Sequence, residues 1–333
     1  MKKYASLILF AFLLNGCDDG DLTVQEINFE SVDPTSCTQN NDVTLLYKLK
    51  SQEAFLLQMP ANAGLKEDTG EYEYDIPTGG KGTYRAIYRA YDGALVSDNI
   101  CGIIPPSTPK VTDEWIATSG KIVINTTQKD PVLAADGSTK LTGYNHDISF
   151  KNITFDISGS KPQTYPTYPF GTFSTTTNVP ASLVFDSETA GRCTNNGLNR
   201  VYNFSAAFFI MLDNLDPELI KNEVTATGKP RTGLINQTTT TNKLYYKAVA
   251  KDSGSFSSSY FCNTTFPASP AIGEDWTGQT GEAEKSGIIE VTTTLVGNTY
   301  YHTVTLRNVT MLKGKSNFKL PTEFFLGRFE TNL

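Results

Sequence analysis

From Phe29 onward the chain repeats itself once, and no other feature constrains the fold as strongly. Phe29-Glu30-Ser31 and Cys37-Thr38-Gln39-Asn40 recur as Phe185-Asp186-Ser187 and Cys193-Thr194-Asn195-Asn196, displaced by 156 positions. Cys101 and Asp113-Glu114-Trp115 recur as Cys262 and Glu274-Asp275-Trp276, displaced by 161. Ser119-Gly120 answers Ser286-Gly287 after a small insertion, and the displacement then returns to 156, so that His146 meets His302 and Asn152 meets Asn308. Gly171-Thr172-Phe173 and Gly327-Arg328-Phe329 close the two copies. Ordered matches with compensating gaps are what one duplication leaves behind. A unit of roughly 155 residues buries enough surface to fold alone, so the expectation is two tandem domains and not a solenoid of small units. The expected bounds are 27–173 and 183–333, with Ser174–Pro180 inside a linker that runs over 174–182.

Within each copy the periodicity is that of strands. Thr, Ser, Tyr and Phe are plentiful and charged residues make up 19% of the chain, a balance that favours sheet over helix. His146, Ile148 and Phe150 place apolar bulk on one face of a strand, whereas Ile153, Phe155 and Ile157 occupy the opposite phase. The same slip separates Val304 and Leu306 from Val309 and Met311. A phase change at matching positions predicts a bulge or tight bend there in both domains. Asp92-Gly93 after Thr83–Tyr91 reads as a hairpin turn, as does Asp252-Ser253-Gly254 after Leu244–Lys251. The single helical candidate is Asp216–Val224, with Pro217 in its first turn. The fold class is therefore all-β: two tandem duplicated β-sandwich-like domains. Of the three pairings open to four cysteines, the duplication favours Cys37–Cys101 and Cys193–Cys262, one in each domain.

The fifth cysteine, Cys17, stands apart. Lys2 and Lys3 precede an apolar core at Leu7–Leu14, and Leu14-Asn15-Gly16-Cys17 closes the segment. That core is far shorter than the roughly 20 residues a membrane-spanning helix needs, so residues 1–16 read as a signal peptide. Leu14-Asn15-Gly16-Cys17 resembles a lipobox, and Asp18-Asp19-Gly20-Asp21 resembles the acidic run that follows the cysteine in outer-membrane surface lipoproteins of the Bacteroidetes type. The resemblance covers the first 21 residues and names no family for the body. It implies acylation at Cys17, a tether over 17–26 and a body held at the outer membrane, facing the cell exterior. The bilayer is then one partner of the chain.

Charge narrows the remaining partners. The net charge is −7 and becomes −9 once Lys2 and Lys3 are removed with the signal peptide; with no basic cluster, nucleic acid is excluded as a partner. Asp68-Thr69-Gly70 and Asp252-Ser253-Gly254 look like the paired loops of aspartic proteases, yet they do not fall at equivalent repeat positions, as a shared catalytic proton would require. Gly314-Lys315-Ser316 echoes a phosphate-binding loop without its upstream glycine. His146 and His302 read as one structural role used twice. No catalytic residue, metal ligand or cofactor site is assigned. Trp115 and Trp276, each near a disulfide, are expected to pack in the core; the alternative is an exposed sugar-stacking platform, to which Tyr165 and Tyr168 would contribute. The function expected is a non-catalytic binding or accessory subunit of an outer-membrane protein assembly. A glycan-binding lipoprotein that accompanies a sugar importer is the alternative.

Overall fold

A computed structural model describes residues 26–332 apart from 38–42, 62, 158, 178–182 and 186. Cys17, the acidic run and most of the expected linker lie outside these residues. The first half contains β1 (Thr35–Ser36), β2 (Val43–Leu49), β3 (Glu53–Pro60), β4 (Gly70–Asp75), β5 (Arg85–Tyr91), β6 (Val111–Gln128), β7 (Val132–Leu133), β8 (Thr139–Lys140), β9 (Gly143–Asp156) and β10 (Gln163–Thr176). The second contains β11 (Gly191–Cys193), β12 (Arg200–Phe204), β13 (Phe208–Asp213), β14 (Arg231–Leu234), β15 (Lys243–Val249), β16 (Ile272–Gly278), β17 (Ile288–Val296), β18 (Thr299–Arg307), β19 (Thr310–Lys313), β20 (Ser316–Lys319) and β21 (Glu323–Asn332). Ser174–Thr176, taken from the sequence as the start of the linker, are the last residues of β10 and still pair with β9.

The two halves share one topology. The first sheet runs β1-β2-β3-β5-β6-β9-β10 and its counterpart runs β11-β12-β13-β15-β16-β19-β20. Next to these, β4 pairs with the C-terminal part of β6, just as β14 pairs with β17. The difference between the halves is continuity. In the first, β6 is one strand of 18 residues that passes from one layer to the other. In the second, the insertion read from the sequence falls at 279–287 and splits the same path into β16 and β17. The expected phase change is present at both positions: Asn152 and Asn308 adopt φ of 50° and 51°. At the first of these bends Gly120 (φ 122°) lies so close to the neighbouring chain that a Cβ there would sit 2.7 Å from the Ile153 Cα. A second matched irregularity follows. Phe170 and Leu326 are each the extra residue of a bulge beside Gly171 or Gly327, which turns both side chains fully into the core.

Each half has two apolar layers. Between the sheets of the first half pack Phe55, Trp115, Ile122, Phe150, Phe155 and Phe170; Trp276, Ile289, Leu306, Met311 and Leu326 do the same in the second. The outer face of each main sheet is covered by a flap, residues 92–110 or 250–271, pinned by its disulfide. Cys37–Cys101 and Cys193–Cys262 are formed, one per half. The flaps correct the expected hairpins. Asp92 does not head a tight turn; its backbone N–H donates to Lys110 O and its carboxylate accepts from Lys110 N, closing the base of a long excursion. The helix expected over Asp216–Val224 is a single 3-10 turn at Pro217–Ile220, capped by the Asp216 side chain. Burial of Leu219 and Ile220 fixes that turn, and Thr225 leaves it to bond the Thr293 backbone.

Candidate functional site

The histidines occupy the same place in both halves. His146 Nδ1 lies 2.9 Å from Thr126 Oγ1 and its Nε2 lies 2.9 Å from Thr175 Oγ1. His302 repeats this with Thr293 and Thr331 at the same distances. Both rings are 0% exposed. Burial, and then the charge of Lys129, lower the His146 pKa to about 4. For His302 burial and then Arg192 and Arg231 lower it to about 4. A neutral imidazole that bridges two threonine hydroxyls ties three strands together. It has neither a carboxylate to orient it nor an open face on which to take up a substrate proton.

The tryptophans are core residues. Trp115 is 2% exposed and Trp276 0%. The first acid of each preceding pair caps the indole: Trp115 Nε1 donates to Asp113 at 2.7 Å and Trp276 Nε1 to Glu274 at 2.8 Å. This is the packing outcome, and it corrects the alternative of an exposed stacking platform. Tyr168 is buried edge-on against Phe55, ring centroids 5.4 Å apart. Tyr165 is half-buried, and its hydroxyl accepts the Ile27 N–H at 3.2 Å. These four aromatics therefore build the frame and present no shared open face to a sugar ring. The acid two residues before each tryptophan, at equivalent repeat positions, is the sequence feature that goes with this cap.

The chemically richest contact is a seam between the halves. The turn from β19 to β20 meets Asp68 and Thr69: Lys315 N donates to Asp68 Oδ1 at 3.3 Å and Thr69 N donates to Ser316 Oγ at 3.1 Å. The two motifs that look like a protease loop and a phosphate loop in the sequence are thus the facing parts of one seam. The Gln128 side-chain amide pairs with the free edge of β20, donating to Asn317 O at 2.7 Å and accepting from Asn317 N at 2.9 Å. Lys319 N donates to Thr139 Oγ1 and Thr322 N to Asp136 O, each at 2.8 Å. The connection from β6 to β9, residues 129–142, supplies part of this clasp, and Leu141 with Tyr144 enters the core of the second half. The equivalent connection of β17 to β18 is a two-residue turn at Gly297-Asn298.

Glu67 and Glu274 also approach each other at the seam. Loss of water there, and next the adjacent Glu274 carboxylate, push the Glu67 carboxyl up. Glu274 Oε2 accepts from Trp276 Nε1 at 2.8 Å and from Lys313 Nζ at 2.9 Å, so this carboxylate is held by the indole and the lysine while it shares a hydrogen bond with Glu67. A crevice of about 530 Å³ beside β14 and β17 contains Glu290, whose carboxylate is held by Arg307 Nε at 2.5 Å. No group of three or more His, Cys, Asp or Glu side chains among the described residues is placed to hold a metal ion. No helix among them is long and apolar enough to cross a membrane. Comparison with protein-family models, with curated proteins and with solved structures finds no match to this chain.

Proposed function

We propose that the chain is a lipid-anchored, non-catalytic surface protein that serves as a binding or accessory subunit of an outer-membrane assembly. The observation that supports this most is how the reactive side chains are used. Both histidines, both tryptophans with their acids, and Cys37, Cys101, Cys193 and Cys262 occur in equivalent pairs, each engaged in holding its own half. Catalytic groups are expected to converge on a cleft and leave a face open for substrate; these do neither. With the four body cysteines paired, Cys17 is left as the odd thiol, in keeping with acylation there. Acyl chains stabilise the anchored state by about 0.8 kcal/mol per buried CH₂. The burial of Trp115 and Trp276 weighs against the glycan-binding alternative.

The test is affinity purification of a tagged full-length chain after mild detergent extraction. A stoichiometric partner is the expected result, and recovery of the chain alone would sink the subunit reading. Protease added to whole cells should remove the body if it faces outward and spare it if it faces the periplasm.

A further inference from the structure

The two flaps provide an internal comparison. Cys101-Gly102-Ile103-Ile104-Pro105-Pro106-Ser107-Thr108-Pro109 and Cys262-Asn263-Thr264-Thr265-Phe266-Pro267-Ala268-Ser269-Pro270 have the same length, begin at the same half-cystine and end at the same proline. They differ at the tip. Ile103 and Ile104 are 85% and 88% exposed, whereas Thr264 and Thr265 hold the equivalent exposed positions. The one large apolar residue of the second tip, Phe266, folds back to stack on Tyr260, with Arg200 over its ring. Arg200 also donates to Phe261 O and Asn263 O. The first half has Leu45 in place of Arg200, by strand register, and its tip is not drawn back in this way. Ile103 and Ile104 are almost fully exposed, so packing within the chain does not account for the isoleucine pair of the first copy.

We propose that the Ile103-Ile104 tip of the first flap inserts into the lipid surface to which Cys17 holds the protein. The inference rests on the anchored reading above. Residues 18–26 span at most about 30 Å when extended, and the described chain begins in the half that carries the aliphatic tip. The flap starts close to that entry: Leu95 N donates to Ser51 O, and the adjacent Lys50 covers the ring of Phe29. The polar copy of the tip belongs to the other half. Two protruding side chains are too few for a protein interface, which takes about 800 Å² from each partner, but they suit a bilayer. No charged residue lies between Asp98 and Lys110. Pro105 and Pro106 bring no N–H donors, and Gly102 N is already bonded to Asp98 O. The backbone cost of entering an apolar medium is lowered accordingly.

The test reconstitutes the full acylated chain into phosphatidylcholine–phosphatidylethanolamine vesicles that contain a phospholipid with a diazirine in its acyl chain. After photolysis, adducts on 102–106 are expected to exceed those on 263–267 by about tenfold. Exchanging the tip for that of the second copy, Ile103→Thr with Ile104→Thr, should lower labelling to the level of the second flap while the melting temperature is unchanged. Equal labelling of the two flaps, or retention of the label after the exchange, would overturn the proposal. The mass of the Cys17 peptide in the same digest judges the anchor separately. If it carries no acyl group the anchored reading fails, and the tip is judged by the same labelling with the chain added to preformed vesicles.

Discussion

Lowering the pH from about 7.5 to about 5 should weaken both halves through the same pair of side chains. Each imidazole is buried between two threonine hydroxyls, with a pKa of about 4 against the ordinary 6.5. The unfolded chain takes up a proton on each ring near 6.5, and the folded chain does so only near 4. Between those limits the unfolded state binds more protons, so the stabilisation is complete above 6.5 and is lost as the pH falls toward 4. The slope is about 1.4 kcal/mol per pH unit for each ring, giving a loss near pH 5 of about 2 kcal/mol per ring and about 4 for both. Guanidinium unfolding followed by circular dichroism at the two pH values measures this. His146→Gln and His302→Gln should each lower stability at neutral pH and each remove about 2 kcal/mol from the difference between the two conditions. A wild-type chain equally stable at both pH values would refute the reasoning, as would variants that keep the full difference. Either result would mean that the folded state charges these rings as readily as water does.

Replacing Cys193 and Cys262 together with alanine should cost up to about 4 kcal/mol by the loop-entropy estimate for a loop closed over 69 residues, and should open the flap at 250–271 to limited proteolysis. Gly120→Ala forces a side chain into backbone at a φ of 122°; the expected loss is about 2 kcal/mol or more, visible as a lowered melting temperature. Glu67→Gln should stabilise the protein modestly at neutral pH. A raised folded pKa contributes stability at low pH that is lost as the pH rises through it, so the gain over wild type should vanish in acid, as thermal melts across the pH range would reveal.

The duplication made the architecture legible. Because the copies agree at Cys37 and Cys193 and at Cys101 and Cys262, the pairing is legible in the sequence. The bend at Asn152 and Asn308 was readable too, since the apolar phase slips at both. The flaps were not, because Asp92-Gly93 carries the local chemistry of a tight turn and only a long-range disulfide draws the intervening residues across the sheet. The helix expected at Asp216 failed for a related reason: tertiary burial of Leu219 and Ile220 ends it after one turn. The seam was hidden most deeply. Gln128, Thr139 and Asp68 are ordinary polar residues, and nothing local tells that they meet a strand 180 or more positions away in sequence.

The 18-residue strand β6 has a mechanical consequence. It runs from the base of the first flap to Gln128, the residue that grips β20, with a contour of about 60 Å. A force applied along β6 would load the hydrogen bonds it shares with β4, β5 and β9 together in shear, so that they would not unzip one by one. The clasp at 128–142 has no such ladder of strand pairs behind it, so under that load the seam should part before the strands of either half.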